Sequence, residues 1–129
     1  GQPRQWSRDR TLYMPDVRFV SMGEQGGKIR VGIMGHQQYV NATNENFVTN
    51  GFNEREINRV TRRFGNIAHV FSTYEYTNDD KTDTGRGVNS IELFWDGTRW
   101  WISLASWDDE RPNNPIPKEF LPKGKKSKE

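Results

Sequence analysis

A chain of 129 residues fits one domain and is long enough to bury a core. It contains no cysteine, which excludes disulfides and thiolate metal sites, and no apolar run approaches the length of a membrane span. The net charge is +2, but Lys123, Lys125, Lys126 and Lys128 against Glu129 place +3 of it in the last eight residues. The rest of the chain is therefore slightly acidic and offers no phosphate-binding footprint, so neither a nucleic acid nor a membrane is expected as a partner.

A hydrophobic content of 32% and a mean hydropathy of −0.99 point toward disorder. Sixteen aromatic residues, five of them Trp, point the other way, because each ring buries a large apolar area. The two together describe a folded body with a very polar surface. The opening Gly1-Gln2-Pro3 lacks a Met, as in a processed chain. Any leader would lie upstream of Gly1, so a cytoplasmic and an exported location both stay open.

In chain order, Trp6 to Tyr13 reads as a short helical turn stopped by Pro15. Val17 to Met22 and Lys28 to Ile33 read as a hairpin about the turn Gly23 to Gly27. From His36 to Val48, Tyr39, Val40, Thr43 and Phe47 recur at helical spacing, and Asn50-Gly51 suits a left-handed cap. Phe52 to Phe64 is polar but tolerant of a strand, with a turn at Gly65-Asn66. Ile67 to Tyr76, Gly87 to Trp95 and Thr98 to Trp107 complete a β-meander, the last two joined by Asp96-Gly97 as a two-residue hairpin. Pro112 to Pro122 holds four of the six prolines and is expected to run extended over the body. Residues 1–110 thus form one domain, and 111–129 a Pro- and Lys-rich tail.

The Asp96-Gly97 hairpin sets a register, and the register sorts side chains by face. With Trp95 opposite Thr98, and Thr73 opposite Asn89, one face carries His69, Phe71, Thr73, Asn89, Ile91, Leu93, Trp100, Ile102 and Leu104. This more apolar face is expected to lie under helix and to line a pocket. The other face carries Tyr74, Phe94, Trp101 and Trp107, aromatic enough to call for a homodimer partner.

The stretches Phe64-Gly65-Asn66-Ile67-Ala68-His69-Val70-Phe71-Ser72-Thr73-Tyr74-Glu75, Arg86-Gly87-Val88-Asn89-Ser90-Ile91-Glu92-Leu93 and Asp96-Gly97-Thr98-Arg99-Trp100-Trp101-Ile102 resemble an uncharacterised bacterial branch of the nuclear transport factor 2-like superfamily. That superfamily includes SnoaL-like polyketide cyclases, ketosteroid isomerases and scytalone dehydratase. The resemblance covers the second half of the chain closely and the earlier helix and hairpin loosely. It implies an α+β, cystatin-like fold: a strongly curved antiparallel sheet, shaped as a cone, packed on helices around a cavity. Members usually begin with a long helix across the mouth of the cone, and only the short Trp6 to Tyr13 segment stands here. Either that helix has been lost from the chain or the core is covered differently.

Function is read less sharply. A ketosteroid isomerase site needs a carboxylate base, a phenol and a protonated acid, and no set of residues here matches it position by position. His69, on the pocket face, is a possible general acid or base, with Glu56 or Glu75 as a carboxylate partner. The first reading is a non-enzymatic pocket for a small hydrophobic molecule, lined by His69, Phe71, Thr73, Asn89, Leu93, Trp100, Ile102 and Tyr39, with no cofactor. The alternatives are a cofactor-independent isomerase, cyclase or dehydratase using His69 with a carboxylate, and a dimerisation scaffold. Two His without ligand spacing give no metal set, and neither a nucleophile elbow nor a phosphate-binding glycine loop is present.

Overall fold

The structure, a computed structural model, describes residues 12–42, 53–78 and 81–123. Most of the expected turn over Trp6 to Tyr13, the second half of the expected helix, Asn50-Gly51 and the end of the Lys-rich tail lie outside these residues. Six strands form one open sheet: β1 (Tyr13–Gln25), β2 (Lys28–Met34), β3 (Asn53–Phe64), β4 (Ile67–Thr77), β5 (Thr84–Trp95) and β6 (Trp100–Asp109). Their order is β2-β1-β6-β5-β4-β3. All neighbours are antiparallel except β1 and β6, which run parallel, so the sheet is mixed rather than purely antiparallel.

Gly26 and Gly27, at φ 58° and 79°, form the two-residue turn between β1 and β2. Positive φ at both central positions matches the twist of a hairpin, and glycine adopts it without a Cβ clash. β1 begins at Tyr13 rather than after Pro15. Pro15 instead falls where the β1–β6 pairing slips, between Tyr13 and Arg18, a place where a missing N–H breaks no ladder bond.

Residues 36–42 are helical (α1). The helix is entered from Gly35, whose N–H donates to the Gln38 side chain at 3.0 Å, the backward half of a capping box. Its inward residues close an aromatic core on one face of the sheet, called the inner face below. Tyr39 stacks on Phe19 at 4.1 Å and tilts against Trp107 at 5.6 Å, while His36 lies 4.9 Å from Tyr13. Tyr13, Val17, Phe19, Tyr39 and Ala105 are the buried centre of this cluster.

The opposite, outer face is crossed by the chain that follows β6, as the proline content of that segment predicts. Arg86 grips Glu110 through two hydrogen bonds of 2.9 and 3.0 Å, and the Ile116 amide donates to the same carboxylate at 3.2 Å. A 3-10 turn, Lys118–Phe120, then lays the Phe120 ring on Phe71 at 4.7 Å. The Thr73 hydroxyl donates to the Phe120 carbonyl at 2.6 Å, and Thr73 is fully buried as a result.

Three irregularities decide which side chains share a face. The loop after β5 has four residues: the Asp96 carboxylate accepts from the amides of Thr98 and Arg99, which pairs Trp95 with Trp100. That differs from the expected two-residue turn by an even number, so faces near the loop are kept. A bulge at Ser103 then shifts the pairing by one, setting Glu92 opposite Leu104 and Asn89 opposite Trp107. Leu104 therefore leaves the inner face and Trp107 joins it, the reverse of expectation.

The third irregularity lies between β4 and β5. Asn78 accepts the amides of Thr82 and Asp83 on its side-chain oxygen, and its own amide donates to the Asp83 carbonyl. This closes a six-residue loop and places Ser72, not Thr73, opposite Asn89. A one-residue shift turns every β4 side chain to the other face.

Candidate functional site

The inner face has two halves. Under α1 it is filled by aromatic rings. Across β3, β4 and β5 it holds a cavity of about 470 Å³. Val70, Ile91, Leu93 and Ile102 form its apolar floor. Around them stand Glu54, Glu56, Arg59, Ser72, Tyr74 and Asn89. The size falls in the range of small-molecule pockets, and an apolar floor with a few placed polar groups is their usual make-up.

The polar groups are positioned by backbone irregularity. On a regular strand, residues three apart face opposite sides. The β3 bulge between Glu56 and Asn58 removes that alternation, so Glu56 pairs with Tyr74, Arg59 pairs with Ser72, and all four point inward. Glu56 Oε2 then accepts from Arg59 Nε at 3.0 Å and from the Ser72 hydroxyl in a short contact. Glu56, Arg59 and Ser72 form one charge-assisted cluster at the edge of an apolar floor.

Tyr74 closes one end of the site. Its ring crosses β5 at Gly87, where a Cβ would collide with the Tyr74 hydroxyl and would stand 2.7 Å from the Asp108 carbonyl. Gly85 makes the same space for Tyr76, whose hydroxyl lies 2.5 Å from where a Cβ would stand. The Tyr74 phenol donates to Asp109 Oδ1 at 2.7 Å. Burial first, then the hydrogen bond and charge of Asp109, raise its pKa far above the ordinary phenol value. It therefore stays a protonated donor committed to Asp109.

The residues expected to line the pocket are divided by the β4 register. Asn89, Leu93 and Ile102 line the cavity, and Glu56 stands in it. His69, Phe71 and Thr73 do not, because the six-residue loop turns them to the outer face. There His69 Nε2 lies 2.7 Å from the Ser90 hydroxyl and its ring stacks on Phe71 at 4.4 Å. Glu75 also faces outward, bound to Arg55 Nε at 2.6 Å. Trp100 keeps the inner side but lies beyond the cavity, against Trp95 and under the Arg63 guanidinium at 4.9 Å. Tyr39 belongs to the aromatic core.

The same shifts correct the expected dimer surface. Tyr74 and Trp107 face inward and are not available to a partner through the outer face, where Phe94 and Trp101 remain paired. Part of that face is covered by the chain's own Phe120, which stacks on Phe71. Val70, Ser72 and Tyr74 are cavity residues that the expected register missed. Asn78, a residue that caps loops through its side chain, was the signal that could have found them.

No family model and no curated protein matches this sequence. Solved structures do. A protein with a cystatin-like fold from Caulobacter vibrioides superposes with a TM-score of 0.58 at 15% identity, covering 82% of this chain and 76% of that one. The Kfla4162 protein of Kribbella flavida gives 0.60 at 12% identity, with coverage of 81% and 78%. A candidate ketosteroid isomerase from Shewanella frigidimarina gives 0.51 at 17% identity, with 76% of each chain covered. At these identities the likeness is one of fold.

Proposed function

From a chain that has the cystatin-like fold, the fold implied by the resemblance to nuclear transport factor 2-like proteins, we propose a binding protein. It holds a small, mostly apolar molecule on the floor made by Val70, Ile91, Leu93 and Ile102, without transforming it. One polar end of that molecule meets the Glu56–Arg59–Ser72 cluster, which orients it. The observation that carries this reading is the unequal filling of the inner face. Aromatic rings pack one half, whereas the other keeps about 470 Å³ open over aliphatic side chains.

A catalytic reading has less support. His69, the one imidazole proposed as acid or base, faces away from the cavity. Glu56 Oε2 is engaged by both Arg59 and Ser72, and the Tyr74 phenol by Asp109. The fold shared with a candidate ketosteroid isomerase does not by itself bring its reaction.

Native mass spectrometry of the purified chain tests the proposal. An adduct of a few hundred daltons, or one formed with an added neutral arylamine, is expected on the wild type and absent from Leu93→Trp, whose indole occupies the floor. An identical adduct on Leu93→Trp would place the ligand elsewhere and remove the proposal.

A further inference from the structure

The two edges of the sheet are guarded very differently. β3 carries Glu54, Arg55, Glu56, Arg59, Arg62 and Arg63, the kind of charge that blocks strand addition. β2 reads Lys28-Ile29-Arg30-Val31-Gly32-Ile33-Met34, and Ile29, Val31 and Ile33 are 72%, 57% and 64% exposed. Among the described residues, β2 pairs with β1 alone. Three β-branched side chains in a row on a bare edge have the chemistry of an interface rather than of a solvent surface.

The hairpin turn says which backbone groups face outward. Gln25 and Lys28 flank the two-residue turn and form the closing hydrogen-bonded pair, so the inward positions of β2 alternate from Lys28: Arg30, Gly32 and Met34. The N–H and C=O groups of Ile29, Val31 and Ile33 therefore point to the free edge. The sequence about Val31 is a palindrome in character, Ile-x-Val-x-Ile.

We propose that a second copy of this chain adds to β2, antiparallel and centred on Val31, joining the two sheets across a two-fold axis. Val31 then faces its own copy and Ile29 faces Ile33, each as a hydrogen-bonded pair, with all six side chains on one face. Arg30 falls opposite Gly32, so the two Arg30 side chains are diagonal rather than directly opposed, and each donates to Gln25 of its own chain. This contact is independent of the cavity and of what it binds.

Mass measurement by light scattering after gel filtration at micromolar concentration tests it. Wild type is expected at twice 15.1 kDa. Val31→Lys and Val31→Glu each set like charges across the axis and are expected at the single-chain mass. An equimolar mixture of the two is expected to return to twice that mass, because the charges now attract, and this recovery also shows that both variants are folded. A wild type at single-chain mass, a Val31→Lys that stays double, or a mixture that does not recover would each overturn the pairing.

Discussion

The two halves of the inner face belong to one sheet and end up with opposite properties. Where β1 and β6 meet α1, Phe19 is fully buried, stacked on Tyr39 of the helix and met edge-on by Tyr13 of the sheet. Where β3, β4 and β5 run beyond the described helix, Val70, Ile91 and Leu93 are only half-buried and face a cavity. Apolar content alone does not fill a face. Among the described residues, rings from two elements pack the one half closely, and the aliphatic residues of the other leave space above them.

The largest effect is expected on the filled half. Phe19→Ala removes a fully buried ring and is predicted to cost about 3–5 kcal/mol in urea unfolding. A loss below about 1 kcal/mol would mean that this half is no better packed than the cavity and would break the contrast.

On the open half, the sharpest point is the glycine under Tyr74. Gly87→Ala drives a methyl into the phenol and toward the Asp108 carbonyl, and is predicted to cost about 1–3 kcal/mol. Because the Tyr74 hydroxyl must move from Asp109, the tyrosine fluorescence and near-ultraviolet dichroism should change with it. Unchanged spectra in Gly87→Ala would show that Tyr74 does not close the site as described.

A smaller effect separates the inner face from the strap behind it. The Arg86 guanidinium, with help from the Ile116 amide, holds the Glu110 carboxyl below the usual carboxylate range. A depressed folded-state pKa stabilises above the unfolded value and is lost as pH falls through the folded one. Acidification below about pH 4 should therefore loosen the segment after β6, read as faster exchange of the Ile116 amide, while the aromatic core keeps its protection. Exchange that accelerates equally in both places would mean that strap and core unfold as one unit.

Most strands were legible in the sequence, and the reason is local. The glycines from Gly23 to Gly27 mark a hairpin, though β1 runs on to Gln25 and the turn is Gly26-Gly27 alone; the apolar run from Ile67 announces β4, and the prolines after Asp109 leave room for no element longer than the 3-10 turn Lys118–Phe120. The parallel pairing of β1 with β6 was not legible, because it joins the two ends of the domain and has no local signature. Nor was the site. Its composition depends on one bulge after Glu56, another at Ser103, and the even count of residues that Asn78 closes into a loop. Each shifts alternation by a single residue, and a single residue exchanges His69 for Val70 in the cavity. Asn89, Leu93 and Ile102 keep one face together, as the expected register has them, because the longer Asp96 loop changes the count by two.

On the proposed reading, a ligand binds the open half of the inner face and not the filled half. The most direct measurement is a fluorescence titration of wild type and Leu93→Trp with a neutral naphthylamine probe. Wild type is predicted to bind saturably at one site. Leu93→Trp should lose at least tenfold in affinity, which is about 1.4 kcal/mol, while its unfolding free energy stays within about 1 kcal/mol of wild type. Equal binding by both proteins, at the same stability, would place the ligand outside this cavity.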